Sequence, residues 1–181
     1  SAPGGKAAFT AELMKNKGKI LAFDKSQERL EKLSAGMKRL SIDIVDVKIK
    51  DLTVDKLPDS KKIILDVPCS GTGVMGKRAD LRWRRDMDNL LELHLQQRKI
   101  LWGASNSLEP GGALVYSTCS LELEENWMIV EAFLKSHPDF KVDNASNYVP
   151  KEFVDSKGAL FTFPPKHGID GGFAVRLVKD A

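Results

Sequence analysis

Residues 62–73, KIILDVPCSGTG, decide the fold of this chain, because a short apolar run changes here into a turn rich in small residues. Residues 62–67 have the composition of a buried strand, and Cys69 lies in the turn that follows. A second run of this kind, residues 113–117 (ALVYS), leads into Cys119. In open α/β sheets ligands bind at the carboxyl ends of strands, so the two cysteines are candidates for one reaction centre.

Outward from these two runs, strand-like and helical patterns alternate along the chain. Strands are predicted over residues 19–23, 42–49, 62–67, 113–117, 140–142 and 173–178, and helices over residues 6–17, 26–40, 88–108 and 124–137. The long third helix is expected to stop at a turn formed by Pro110, Gly111 and Gly112. Residues 144–172 are interpreted as mostly loop. This alternation predicts an α/β fold with a doubly wound, mostly parallel sheet.

The composition limits the class of protein. With 181 residues, 42% hydrophobic and 29% charged, the chain is long enough for one domain and too short for two ordinary ones. Its apolar stretches are too short for a transmembrane helix. Two cysteines do not form a disulfide framework, which favours the cytoplasm; plastid and nucleolus stay open for a eukaryotic source. The net charge of +3 permits a nucleic-acid partner without requiring one.

The chain opens on a glycine turn, SAPGGKAAF (residues 1–9), with no strand before it. Because such a turn normally follows a strand, we expect the first strand of the sheet to be missing from this chain. Residues 1–181 are therefore interpreted as a single catalytic domain that is incomplete at its amino terminus. The strands that end at Asp24 and Asp66 are expected to flank the resulting gap.

Three aspartates, Asp24, Asp51 and Asp66, each lie at or just after the end of a predicted strand, and the first comes 19 residues after Gly5. A carboxylate about 20 residues beyond a glycine turn can accept hydrogen bonds from both ribose hydroxyls of a nucleotide. Residues 4–8 (GGKAA) match neither the dinucleotide fingerprint nor the phosphate loop. An adenosine cofactor without a pyrophosphate fits better, and S-adenosylmethionine is the common one. Aspartates also end strands as turn residues, so a structural role stays open.

Several motifs taken together resemble one family over essentially the whole chain: APGGKA, DVPCSGTG, RADLRWRRD, Gln97 in the long helix, PGGALVYSTCS and EEN. They are similar to the RsmB/NOL1/NOP2/Sun family of RNA cytosine-5 methyltransferases, in particular its bacterial-type small-subunit ribosomal RNA members. The resemblance implies a Rossmann-like, S-adenosylmethionine-dependent methyltransferase fold whose last strand is antiparallel. It further implies a monomeric enzyme that acts on RNA, with ribosomal RNA favoured over tRNA and no membrane partner.

The resemblance also implies roles for individual residues. The opening turn would pass along the methionine and ribose part of the cofactor with Ala2, Pro3, Gly4, Gly5 and Lys6. Asp24 would hold the ribose hydroxyls, Asp51 would meet the adenine, and Asp66 would lie near the methionine end and the target base. Cys119 would be the nucleophile, and Cys69 would help release the product.

The chemistry of the reaction explains why a thiol is needed. Carbon 5 of cytosine is a poor nucleophile, but a thiolate that adds to carbon 6 turns the ring into an enamine whose carbon 5 can take a methyl group. Asp66 is the candidate acid near ring nitrogen 3. Breaking the enzyme–RNA bond afterwards gives Cys69 a role. In related DNA methyltransferases the Pro-Cys cysteine is the nucleophile, so the assignment to Cys119 rests on the family.

A basic segment follows the Cys69 turn directly, residues 77–85 (KRADLRWRR). Its five cations and one indole suit phosphate contacts and base stacking, whereas a solvated charged turn is the plain alternative. The predicted RNA contacts are Lys77, Arg78, Arg82, Trp83, Arg84 and Arg85.

The three histidines, His94, His137 and His167, have no metal-ligand spacing, so no metal site is predicted. Two other classes of protein stay open. A different nucleotide-cofactor enzyme, such as a dehydrogenase, would bind NAD and be indifferent to the loss of Cys119. A non-catalytic RNA-binding module would tolerate the loss of both cysteines.

Overall fold

The computed structural model describes residues 1–84 and 86–181, and within them the chain divides into two compact units, residues 1–55 and residues 56–181. The single catalytic domain and the gap between the strands ending at Asp24 and Asp66 stay predictions. Among the described residues no helix is long and apolar enough to cross a membrane. In the same residues, no group of three or more His, Cys, Asp or Glu side chains is placed to hold a metal ion.

The first unit consists of two parallel strands and two helices. In chain order these are α1 (Gly5–Leu13), β1 (Ile20–Asp24), α2 (Gln27–Arg39) and β2 (Val45–Ile49). β1 and β2 pair in parallel from Ile20 opposite Val45 to Asp24 opposite Ile49. The glycine turn therefore leads into α1, and β1 ends on the aspartate that the sequence singles out.

The predicted apolar face of α2 forms much of the core of this unit. Leu30, Leu33 and Met37 are buried, and the Ser26 side chain caps the helix by accepting a hydrogen bond from the Arg29 N–H. Leu40, predicted on the same face, is 47% exposed because the helix ends one residue before it.

α1 is shorter than predicted, and its buried residue is Ala11. Leu13, predicted on the apolar side, is 68% exposed. The helix cannot run on to residue 17, because Lys15 and Asn16 have left-handed backbone conformations with φ of 53°.

In the part of the second unit that the structure describes, there are a five-stranded sheet and three α-helices. Its elements are β3 (Ser60–Asp66), α3 (Met87–Ser105), β4 (Leu108–Thr118), α4 (Trp127–Ser136), β5 (Phe140–Asp143), β6 (Leu160–Thr162), α5 (Pro164–His167) and β7 (Gly172–Lys179). The strand order is β3-β4-β7-β5, and β6 also pairs with β7. β3 and β4 are parallel, whereas β7 is antiparallel to β4, β5 and β6, as predicted for the last strand.

The junction between α3 and β4 was predicted incorrectly from the sequence. α3 ends at Ser105, and β4 begins at Leu108, so Pro110 and the two glycines lie inside the strand instead of in a turn after the helix. The pairing with β3 shifts here, between Ser60 and Lys62. Gly111 has a φ of 71°, a left-handed conformation that glycine adopts more readily than other residues, and this permits the strand to bulge here. β6, which lies in the region predicted as loop, was missed because three residues are too short for a pattern.

Aromatic side chains join α4 to the sheet of the second unit. Tyr116 on β4 and Trp127 on α4 both meet Phe173 on β7 edge-on, at 6.5 and 5.6 Å between ring centroids. The buried Tyr116 hydroxyl donates a hydrogen bond of 2.7 Å to the Glu125 carbonyl oxygen. This bond fixes the segment between β4 and α4, which begins with Cys119.

Candidate functional site

The two thiols meet because two neighbouring strands deliver them. β3 and β4 end side by side, with Asp66 opposite Ser117, and the Val67 N–H extends the pairing by donating to the Ser117 carbonyl oxygen. Beyond this point the Sγ atoms of Cys69 and Cys119 lie 3.1 Å apart. The Cys119 N–H also donates to the Cys69 Sγ at 3.3 Å. Both cysteines are half-buried and free of disulfides.

This contact makes the two thiols unequal as acids. The hydrogen bond from Cys69 lowers the pKa of Cys119 to about 7, against the effects of burial and of the negative charge on Asp66. The same contact, together with burial, raises the pKa of Cys69. Cys119 is therefore the thiol that ionises near neutral pH, and the thiolate is the nucleophilic form.

A fully buried carboxylate, Glu125, links the segments that carry the two thiols. Its Oε1 atom accepts hydrogen bonds of 2.8 Å from the Ser70 N–H and of 2.8 Å from the Gln97 Nε2, and its Oε2 accepts one from the Ser70 hydroxyl. Ser120, next to Cys119, bonds to the Ser70 hydroxyl at 3.0 Å. The sequence gives Glu125 and Gln97 no role beyond their place in the family motifs.

The residues after Cys119 fold back on themselves through side-chain hydrogen bonds. Asn126 accepts from the Thr118 hydroxyl at 2.6 Å and donates to the Ser120 carbonyl oxygen at 2.9 Å. The Thr118 hydroxyl in turn accepts from the Ser120 N–H. The Thr118 and Asn126 side chains therefore brace the backbone on either side of Cys119.

Two glycine backbones, those of Gly73 and Gly171, pack in series against the backbone of Cys119. The Gly73 N–H donates to the Cys119 carbonyl oxygen at 3.0 Å, and the Gly171 N–H donates to the Gly73 carbonyl oxygen at 2.8 Å. A Cβ atom added to Gly73 would lie 2.3 Å from the Gly171 oxygen, which no packing can accommodate. Gly171 was missed in the sequence, because it lies in the region interpreted as loop.

The described cationic side chains of the basic segment, up to residue 84, face solvent, and Leu81 between them is buried. Residues Ala79–Trp83 form a short 3₁₀ helix, in which Leu81 is buried and Trp83 is 89% exposed. Lys77 pairs with Asp170 at 2.6 Å, and Arg84 lies 3.6 Å from Asp80. Arg78 and Arg82 are exposed as well, whereas Arg85 lies outside the described residues.

Asp24 lies against the opening turn in the first unit. Its carboxylate is 8% exposed and accepts hydrogen bonds from the Ala2 N–H at 3.2 Å and the Ser26 N–H at 3.1 Å. Burial opposes ionisation, but these bonds hold the pKa of Asp24 below its usual range. Ala2 is buried. A Cβ atom added to Gly4 would lie 3.0 Å from the Leu33 Cγ atom, so this glycine packs closely against α2.

The other residues of the opening turn face solvent, and they are Pro3, Gly5 and Lys6. Asp51 follows β2, and its Oδ1 accepts hydrogen bonds from the N–H and the hydroxyl of Thr53, which lower the pKa of Asp51. This local turn is the structural role that the sequence left open for a strand-ending aspartate.

A family model described as 16S rRNA methyltransferase RsmB/F matches residues 1–178. The chain is 36% identical to the tRNA (cytosine(72)-C(5))-methyltransferase of Pyrococcus horikoshii, over 99% of this chain and 45% of that protein. It is 34% identical to the ribosomal RNA small subunit methyltransferase F of Aeromonas hydrophila, over 99% of this chain and 39% of that protein. The chain therefore spans less than half the length of these curated relatives.

A solved structure, NSun6 from Pyrococcus horikoshii with SFG, is 34% identical and superposes with a TM-score of 0.88. The likeness covers 100% of this chain and 46% of that one. At this level of identity the likeness confirms the predicted Rossmann-like methyltransferase fold, with an antiparallel last strand.

Proposed function

Because this chain belongs to the 16S rRNA methyltransferase RsmB/F family, we propose that the protein carrying it methylates carbon 5 of cytosine in RNA. S-adenosylmethionine is the methyl donor. The observation that carries the proposal is the pair of Sγ atoms 3.1 Å apart at the ends of β3 and β4. A dehydrogenase or a non-catalytic RNA-binding module has no need of such a pair.

We propose different tasks for the two thiols, supported by the lower pKa of Cys119. The Cys119 thiolate forms a bond to carbon 6 of cytosine, while Asp66, in its acid form once cytosine is bound, donates a hydrogen bond to ring nitrogen 3. After carbon 5 has gained its methyl group and released its proton to solvent, the bond from carbon 6 to sulfur breaks, and the electron pair returns to the Cys119 sulfur. The Cys69 thiol, in contact with that sulfur, donates a hydrogen bond to the departing thiolate and so favours release.

The residues of the first unit fit the cofactor that the family implies. Asp24 is kept ionised by its neighbours, as an acceptor for two ribose hydroxyls must be. A Cβ atom added to Gly5 would meet no atom within 4 Å, so the backbone of the opening turn is open to a ligand. When bound, the cofactor supplies an electrophilic methyl group, and the chain's own residues hold its ribose.

Asp24→Ala is expected to weaken S-adenosylmethionine binding. A hydrogen bond to a charged group contributes about 1.5–3 kcal/mol, so the net loss of one such bond corresponds to about tenfold to a hundredfold in Kd. Isothermal titration calorimetry on the protein that carries this chain measures the change. Asp43→Ala, which removes an exposed aspartate of the same unit, is the matched control. Equal affinities for Asp24→Ala and the control would remove Asp24 from the site.

Ribosomal RNA is the proposed substrate, since the matching family model describes 16S rRNA methyltransferases. We further propose that the protein acts as a monomer in the cytoplasm. Transfer RNA is the second candidate, because a relative of similar identity is named as a tRNA methyltransferase. Transfer of a labelled methyl group to unmodified 16S ribosomal RNA, compared with a pool of unmodified tRNA, distinguishes the two substrates.

Neutralising Arg82 and Arg84 together is expected to weaken RNA binding and to flatten its dependence on salt. Both side chains are exposed, and they flank Trp83, whose indole is open to stacking. Each lost phosphate contact reduces the slope of log K against log salt by about 0.9, so the double variant should lose about 2. Titrations of 16S ribosomal RNA at several salt concentrations provide the measurement.

The control for this variant removes the same charge elsewhere in the second unit, at the exposed residues Lys151 and Lys166. It should leave the slope close to that of the unaltered protein. If the two double variants show the same slope, the basic segment is a solvated turn and not an RNA contact.

A further inference from the structure

Glu125 is an unusual residue to find at a relative exposure of 0%. The described donors to its carboxylate are neutral groups, namely the Ser70 N–H, the Ser70 hydroxyl and the Gln97 amide. Burying a carboxylate costs free energy, and pairing it with neutral donors recovers only part of that cost. A glutamine or an apolar side chain could be buried here at a lower cost in free energy, which suggests that the charge of Glu125 serves the site.

Through Gln97 and Ser70, the carboxylate holds the backbone on both sides of Cys69. The Gln97 Nε2 donates to the Pro68 carbonyl oxygen at 2.8 Å as well as to the Glu125 Oε1. The Ser70 N–H donates to the same Oε1 at 2.8 Å. The residue before Cys69 and the residue after it are thus joined in one ring of hydrogen bonds that closes on Glu125.

The opposite side of Glu125 is fixed to the strand that carries the second thiol. The Glu125 carbonyl oxygen accepts from the hydroxyl of Tyr116, on β4, and Ser120 next to Cys119 bonds to the Ser70 hydroxyl. One residue therefore sets the position of the Cys69 backbone relative to Cys119. This arrangement holds the Cys69 S–H within reach of the Cys119 sulfur.

We propose that Glu125 is a positioning residue for product release, which holds the Cys69 thiol against the Cys119 sulfur as the enzyme–RNA bond breaks. The inference rests on the proposed function. It separates the two halves of the reaction, because attack and methyl transfer need Cys119, whereas release needs Cys69 in place. After the Cys119 contact and burial, the negative charge of Glu125 adds to the rise in the pKa of Cys69, which keeps that thiol in its donor form.

Glu125→Gln tests the proposal at nearly constant volume. One carboxylate oxygen becomes an NH₂ group and the negative charge is lost, so the ring of hydrogen bonds loses one accepting atom and its charge-assisted hydrogen bonds. Single-turnover methyl transfer to 16S ribosomal RNA should change by less than about threefold when it is measured at about pH 9, where Cys119 is largely ionised even without the Cys69 contact. Release should slow by roughly tenfold, the size expected for lost hydrogen bonds to a charged group. A covalent enzyme–RNA adduct should then accumulate in denaturing gels, which a general loss of stability would not produce.

Ser107→Ala is the matched control, since Ser107 is buried and donates to the Leu57 carbonyl oxygen at 2.8 Å in the same unit. It removes a buried hydrogen bond that does not involve either thiol and should accumulate no adduct. Gln97→Met is a second variant in case Glu125→Gln does not fold. It removes the two hydrogen bonds that the Gln97 amide donates, to Pro68 and to Glu125, and should trap the adduct as well.

A second measurement needs neither RNA nor cofactor. Iodoacetamide alkylation followed by peptide mass spectrometry should show Cys69 reacting several times faster in Glu125→Gln, relative to Cys119 in the same molecule. Adduct levels and alkylation ratios equal to those of the unaltered protein would overturn the proposal. If the unaltered protein methylates neither 16S ribosomal RNA nor tRNA, the proposed function fails, and an unchanged alkylation ratio would still refute the role of Glu125 separately.

Discussion

Cys119→Ser is expected to abolish methyl transfer to RNA and to prevent any covalent enzyme–RNA adduct. A serine hydroxyl has a far higher pKa than a thiol held at about 7, so almost no anion is present to attack carbon 6. Removing a nucleophile of this kind costs on the order of 10⁴-fold or more in rate. Labelled methyl transfer to 16S ribosomal RNA measures the rate, and denaturing electrophoresis measures the adduct.

The pH dependence of the unaltered protein checks the same assignment. Because the pKa of Cys119 is lowered to about 7, the thiolate fraction grows as the pH rises through that value. The single-turnover rate should therefore rise about tenfold per pH unit below 7 and level off above it. Substantial methyl transfer by Cys119→Ser, or a rate that falls as the pH rises through 7, would contradict Cys119 as the nucleophile.

Cys69→Ser is expected to retain methyl transfer to RNA and to accumulate the covalent enzyme–RNA adduct. Cys119 still attacks and carbon 5 still takes one methyl group, but the serine hydroxyl sits on a shorter side chain and is a far weaker acid than a thiol, so it supports the departing sulfur less well. The protein should then stall as an adduct that survives denaturing electrophoresis, rising from a trace to most of the enzyme within one turnover. The measurement is the ratio of adduct to released methylated RNA.

The two cysteine variants serve as controls for one another, since each makes the same change at one end of a 3.1 Å contact. If Cys119→Ser accumulates the adduct and Cys69→Ser forms none, the roles are reversed and the protein follows the arrangement of the DNA methyltransferases. If both variants methylate at the normal rate, the cysteine mechanism is wrong.

The parts of the fold that were predictable carry their signals locally. The buried face of α2 repeats with the period of a helix, and its cap, Ser26, stands one residue before the helix. The start of β4 was not predictable in this way, because a proline and two glycines indicate a helix stop and a strand bulge equally well. Only the pairing of β4 with β3 decides between them, and that pairing joins residues about 50 positions apart.

In the candidate site, too, the residues with a local sequence signal were predictable, and those placed by contacts between distant segments were not. The cysteines stand out by residue type and by their position after strands, so sequence reasoning selected both. Glu125 does not stand out, because it follows Glu122 and Glu124 in a run typical of an exposed helix start. Its burial comes from meeting Ser70 and Gln97 in space, which depends on how β3, β4 and α3 pack in the second unit.

The glycine stack behind Cys119 has a consequence for protein engineering. Gly73 and Gly171 belong to distant parts of the sequence, yet their backbones touch with no space for a side chain on either. A chimera that takes only residues 68–75 from a relative would replace Gly73 but keep its contact partner Gly171, so the two backbones need not fit. A designer who wants to transplant or diversify the thiol loop must therefore exchange it together with the hairpin around Gly171, as one cassette of two pieces.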